Sequence, residues 1–159
     1  MATNAKSDQR GMFLRLLDEA YDHAAWHGPN LKNSVRGVAS VEADWRPGSG
    51  RRNIAEIVLH CAYYKYVVRR RLTGSKRGGF PLRGSDWFDV PNGLAQSLWR
   101  EYLSILQHEH VELRAALQAV PSSLLATSRV KDNIVGISFH DIYHAGQIRT
   151  IRALRKRGQ

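Results

Sequence analysis

The sequence predicts an all-α protein: one domain over residues 1–159, built as a four-helix bundle in up-down-down-up order with a long crossover between helices two and three. Three observations point there. Four segments repeat apolar residues at helical spacing, and no segment alternates apolar with polar residues as a half-buried strand would. Clusters of glycine and proline fall between those segments. At 43% hydrophobic and 24% charged, the 159 residues suffice for one core and would leave two independent cores marginal.

The first helix is expected from about Gln9 to Trp26, with Phe13, Leu16, Leu17, Ala20 and Ala24 on one face and residues 1–8 flexible ahead of it. His27-Gly28-Pro29 interrupts it, because proline disfavours helical backbone in the residue before it. A helical turn or two resumes around Leu31, Val35 and Val38. After the loop Pro47-Gly48-Ser49-Gly50, a second helix runs from about Arg52 to Leu72, with Ile54, Ile57, Val58, Cys61, Tyr64 and Val68 facing inward. Gly74, Gly78, Gly79, Pro81, Gly84 and Pro91 mark the crossover, which is long enough to traverse a bundle where a tight hairpin is not. A third helix spans about Gly93 to Val120 and ends at Pro121. The fourth is expected from Asn133, capped by Asp132, to about Arg157.

The net charge of +10 invites a nucleic-acid reading. Its excess is local: seven cations lie in residues 65–83 and five in residues 149–157, half of the 24 in the chain, with no acid among either group. Arg69–Arg71 and Arg149–Arg157 within them sit at the carboxyl ends of expected helices, where cations complement the helix dipole, and no helix-turn-helix, zinc-finger or stacking motif accompanies them. No specific nucleic acid is therefore expected as a partner. The single cysteine, Cys61, excludes an internal disulfide framework and suits a reducing compartment. With no long apolar run and a polar amino terminus, the chain is expected in the cytoplasm and away from membranes.

Seven histidines say more. On helix four, His140 and His144 share the face of Ile137, Ile148 and Ile151, and their i, i+4 spacing lets both reach one ion. His60 lies beside the apolar stripe of helix two at a similar depth, so the three can meet. Three neutral imidazoles form a facial ligand set for Zn²⁺ or Ni²⁺, one ion per chain, with coordination positions left open. A divalent ion so held lowers the pKa of its water towards ~7. The competing reading keeps His140 and His144 as core histidines hydrogen-bonded to other side chains. Glu56, Asp141 and Glu109 are candidate proton-transfer groups or partners for the ligand imidazoles, and each also has a structural reading. Glu109 falls inside its helix's apolar stripe, where it needs an arginine or imidazole partner unless it sits at a partly exposed edge. His27 and Tyr64 are candidate substrate contacts. His108 is expected to face solvent, His110 to be peripheral, and Cys61 to be a packed core thiol. Trp26, Trp45, Trp87 and Trp99 read as core or loop packing, with Trp87 and Phe88 in the crossover positioned to cover the site.

The segments IAEIVLHCAYY, with His60, and FHDIYHAGQIRTIRALR, with His140 and His144, resemble the DinB-like, YfiT-type bundle proteins, as do AWHGPNL and RRRLTG. The resemblance covers nearly the whole chain. It implies an up-down-down-up bundle, a divalent ion held by one histidine of helix two and two of helix four, and a homodimer. Mapped residue by residue, those ligands are His60, His140 and His144. The family's assigned activities imply a metal-dependent hydrolase, or a transferase or isomerase using a low-molecular-weight thiol. The alternative is a non-catalytic, metal-stabilised bundle with a role in stress response or in binding a partner or anion.

Overall fold

In the computed structural model, which describes the backbone of residues 2–158 and the side chains of residues 9–158, regular structure is entirely helical. Six helices follow one another: α1 (Ala2–Tyr21), α2 (Leu31–Ser34), α3 (Ser40–Asp44), α4 (Ile54–Thr73), α5 (Gln96–Ala119) and α6 (Ser128–Arg157). The expected flexibility of residues 1–8 falls on side chains outside the described residues. None of the helices is long and apolar enough to cross a membrane.

The helix ends show which local signals were decisive. α4 opens with a capping box: the Asn53 side chain accepts from the Glu56 amide at 2.9 Å, and the Glu56 carboxylate accepts from the Asn53 amide at 3.0 Å. It closes at Gly74, whose left-handed φ of 71° suits a residue without Cβ. α5 starts at Gln96 and not at Gly93, because the Gly93 amide donates to Asp44 at 2.8 Å and holds that residue in the loop. α6 starts at Ser128, ahead of the expected cap at Asp132. Val130 and Ile134 are buried, so packing carries the helix back beyond the polar signal, and Asp132 stays exposed. α1 stops at Tyr21 and not Trp26. His23, Ala24 and residues 26–29 after it are exposed, and the Trp26 side chain is fully so, which corrects the expectation that it packs.

α2 and α3 occupy the stretch where a resumed turn or two was expected. Asn30 caps α2 by accepting from the Asn33 amide at 2.9 Å. The pair is anchored from both sides. Trp99 of α5 is completely buried and donates to the Val38 carbonyl at 2.8 Å. Arg152 of α6 forks onto Glu42 and the carbonyls of Ser34 and Arg36. Here a cation of the last helix satisfies the end of another element.

The four long helices pack as a ring, α1 and α4 each against both α5 and α6. Their apolar residues form two clusters. One joins Tyr21, the first half of α4 from Ile54 to Ala62, Trp99 to Leu106 of α5, and Ala145 to Ile151 of α6. The other joins Phe13 and Leu17, Val68, Leu113 and Leu117, and Val130 to Ile137. Between the two clusters, every long helix contributes buried polar side chains: Asp18, then His60 and Lys65, then Glu109 and His110, then Ser138, Asp141 and His144. Such a layer persists only when its members satisfy one another, since an unpaired buried charge is costly. Lys65 pairs with Asp141, Arg69 forks onto Glu109 at 3.0 and 3.1 Å, and Arg114 forks onto Asp18 at 2.8 and 3.1 Å. Within this layer, beside the Lys65–Asp141 pair, lie the three histidines.

Candidate metal centre

His60 sits in the first half of α4, and His140 and His144 stack one turn apart on α6, which packs against it. One ring nitrogen from each can be chosen so that all three lie within 4.8 Å of one another. The His60 and His140 Nε2 atoms are 3.1 Å apart. Two nitrogens bound to one tetrahedral zinc are separated by about 3.3 Å, close to the spacing of that pair.

Two of the rings are held in the tautomer that metal binding needs. His60 Nδ1–H donates to the Asp86 carbonyl at 2.9 Å and lies 3.2 Å from the Asp86 carboxylate. His144 Nδ1–H donates to Gln147 Oε1 at 2.8 Å. In both, the remaining Nε2 presents its lone pair to the site. The His140 Nδ1 is buried without a partner, so its tautomer is not set in this way. Asp86 holds its post with a φ of 65°, the one left-handed non-glycine backbone among the described residues, and aspartate is one of the residue types that tolerates it.

Burial keeps the imidazoles neutral. The His60 pKa is lowered by desolvation. His140 is pushed down to about 3 by burial and by His144, His60 and Lys65 nearby, and His144 to about 4 by burial. Neutral imidazole is the ligating form. Trp87 stacks on His60 with ring centroids 3.9 Å apart and planes 9° from parallel, and the Arg52 guanidinium lies 4.6 Å over Trp87. The crossover thus covers one side of the site, as expected of Trp87; Phe88 instead turns into the core. A pocket of about 430 Å³ opens on the other side, lined by Arg52, His60, Tyr64, Trp87, His140, Tyr143, His144 and Gln147.

The remaining candidates fall elsewhere. Glu56 belongs to the capping box and to ion pairs with Arg46 at 2.7 Å and Arg52 at 3.2 Å. Glu109 is fully buried, not a partly exposed edge residue, and its partner is Arg69. Asp141 lies behind the histidines against Lys65. Tyr64 lines the pocket, whereas His27 stands exposed in the loop after α1 because that helix ends early. Cys61, His140 and Asp141 form a second group close enough to share an ion. There the Lys65 ammonium already compensates Asp141, and burial raises the Cys61 thiol well above its ordinary pKa, which disfavours the thiolate a metal needs. Cys61 is the packed core thiol expected. His108 is exposed as expected, but His110 is buried and stacked on Tyr21 at 3.8 Å, not peripheral.

Sequence reasoning missed Asp86, Gln147 and Arg52 as parts of this centre. Gln147 was legible in principle, three residues after His144 on the same helix. Asp86 carried no periodic signal, since only the path of the crossover brings it to His60.

The lowered histidines give a pH dependence. His110, pushed down to about 3 mainly by burial, joins His140 and His144 as groups that bind protons more readily unfolded than folded. Their contribution is intact above the ordinary pKa of about 6.5 and is lost as pH falls from there towards 3–4. With three groups the slope approaches about 4 kcal/mol per pH unit. Asp141 and Glu109, raised by burial, offset part of it. Urea denaturation of metal-stripped protein from pH 7.5 to 5 is expected to show stability falling steeply with acid. A flat profile would contradict the burial of these rings.

The family model described as the DinB superfamily matches residues 25–148, which include all three histidines. No curated protein and no solved structure matches the chain.

Proposed function

The chain belongs to the DinB superfamily, and from that premise we propose that it is a divalent-metal-dependent enzyme. His60, His140 and His144 hold one Zn²⁺ or Ni²⁺, and the substrate is a small molecule. The observation that carries this reading is the convergence of three neutral imidazoles, two with their outer nitrogens fixed, at the head of an open pocket. When bound, such an ion supplies Lewis acidity that lowers the pKa of a coordinated thiol or water.

Two chemistries suit such a centre, transfer of a low-molecular-weight thiol and hydrolysis, and the first is the one put to the test. Of the carboxylates near the site, Glu56 is held by Arg46 and Arg52, Glu109 by Arg69 and Asp141 by Lys65, while Asp86 lies 3.2 Å from His60 Nδ1 and orients that ring. With an ion present, neither a water, at a pKa of ~7, nor a thiol, already at ~8.5 when free, needs a free carboxylate base, so thiol consumption is what tells the two readings apart. In this reading Tyr64, Tyr143 and Gln147 orient the substrate, Arg52 and Trp87 close the pocket beside His60, and the aromatic wall excludes water. The up-down-down-up order belongs to the same proposal. It is supported by the apolar clusters: Phe13 and Leu17 of α1 group with the end of α4, the end of α5 and the start of α6, whereas Tyr21, further along α1, groups with the start of α4, the start of α5 and the end of α6. We place the protein in the cytoplasm as a homodimer; Phe139 and Tyr143, one turn apart on α6 and 61% and 68% exposed, offer an apolar surface for a second copy.

Metal analysis after reconstitution is expected to find about one divalent ion per chain. The loaded protein is expected to consume a thiol such as glutathione or cysteine in the presence of an electrophile, and chelation to abolish the reaction. Absence of any ion after reconstitution would remove the proposal. Turnover of ester or amide substrates without thiol consumption would move it to hydrolysis.

A further inference from the structure

The positive charge of the middle of the chain does more than complete helix ends. Of the cations between residues 65 and 83, Lys65 is bound to Asp141 and Arg69 to Glu109. Arg70, Arg71, Arg77 and Arg83 form no ion pair with a carboxylate among the described residues. These four line one groove of about 660 Å³, between the last turns of α4 and residues 77–86 of the crossover.

The groove is built into the fold. The Tyr66 hydroxyl accepts from the amides of Gly78 and Gly79 at 3.1 and 3.2 Å, pinning the crossover to α4. Phe80 packs edge-on against Tyr63 with centroids 5.4 Å apart. Gly78 and Gly84, at φ 107° and 116°, supply turns that side chains with a Cβ rarely adopt. The Arg70 Nε is buried without an acceptor, a donor removed from water and left unsatisfied by the protein. The groove also adjoins the metal pocket. Tyr64 lines both, and Asp86 in the groove wall bonds His60.

We propose that this groove binds a compact multivalent oxyanion, the phosphate ester or polycarboxylate group of a small molecule. Guanidinium forks match both groups, and the aromatic wall suits the carbon skeleton that carries them. A nucleic-acid backbone fits less well, because it needs a continuous track of cations. The second basic cluster lies at the far end of the bundle: α6 ends against α2 and α3 through Arg152, whereas α4 ends against the start of α6 through Arg71 and Asn133. The anion site stands without a metal; only the idea that one ligand spans both sites rests on the function proposed above.

Calorimetric titration of the full chain with inorganic pyrophosphate, and separately with citrate, in 150 mM salt tests the site. Saturable binding of one anion per chain is expected, and the tighter of the two identifies the group. Arg77→Gln/Arg83→Gln, on exposed loop positions that leave the core intact, is expected to weaken binding about tenfold or more. Lys156→Gln/Arg157→Gln, which removes the same charge at the other end, is expected to stay within about twofold, as diffuse charge is screened. Absence of saturable binding, or equal weakening in both variants, overturns the proposal. So does binding lost in His144→Ala but kept in the groove variant, since the anion then sits on the histidine centre. Tighter displacement by a twelve-nucleotide single-stranded DNA overturns it in favour of nucleic acid. A negative metal analysis leaves all these readouts unchanged, so the two proposals fail separately.

Discussion

Replacement of Lys65 by methionine is expected to destabilise the protein by about 3–5 kcal/mol, among the largest effects of any single substitution in the chain. The Lys65 side chain has no exposure, and its ammonium is paired with Asp141, itself 1% exposed, midway along the bundle. Both charges have been taken out of water, and each is tolerated because the other is present. Removing the cation leaves a carboxylate in the core, with one oxygen already lacking a partner. The loss is expected mainly as a cost of stranding Asp141, so Lys65→Met/Asp141→Leu should recover most of it, because an apolar pair of similar volume carries no desolvation penalty. Urea denaturation of the wild type, both single variants and the double variant gives the coupling directly. If Lys65→Met lies within about 1 kcal/mol of wild type, the pair is not carrying separated buried charges.

His144→Ala is expected to reduce bound metal from about one ion per chain to near zero, and to remove the rise in melting temperature that added zinc produces in the wild type. Two imidazoles do not hold a divalent ion as three do, and His140, the neighbour one turn away, has no outer-nitrogen partner to orient it. Gln147→Leu is the milder companion. It keeps all three ligands but removes the acceptor that fixes the His144 ring, and about 10–100-fold weaker metal affinity is expected. Metal analysis and competition with a chelator read both. Stoichiometric metal in His144→Ala would place the ion elsewhere, with the Cys61, His140 and Asp141 group the first place to look.

Much of this was open to inspection in the chain. The helical stripes around Ile57, Leu113 and Ile148 located three of the long helices, and the spacing of His140 and His144 put both rings on one face. These are periodic signals, repeated within a single helix, and they survive whatever packs against them. The limits of helices were less legible. Polar residues at 132 and 133 resembled a start for α6, but burial of Val130 and Ile134 extended the helix beyond them. Glycine at 93 resembled the start of α5 until Asp44, distant in sequence, captured its amide.

In the sequence Lys65 belongs to a run of cations, with nothing to distinguish it from Arg71. In the folded chain one is sealed in the core and the other is exposed at the edge of a groove. Helical phase puts Glu109 on an inward face, yet its partner Arg69 belongs to another helix. His110 looked peripheral by phase and became buried against Tyr21 of α1.

By itself, then, the sequence determined the helical class, the approximate course of the long helices and the face that carries the paired histidines, because each is decided by neighbours within a few turns. The tertiary structure alone decided which charges are buried, how Asp86 reaches His60 and where the arginines of the middle segment converge. Those depend on partners brought together from different helices and from the crossover. A buried ion pair or a fixed imidazole tautomer is a property of two residues distant in sequence, and it exists only once the chain has packed.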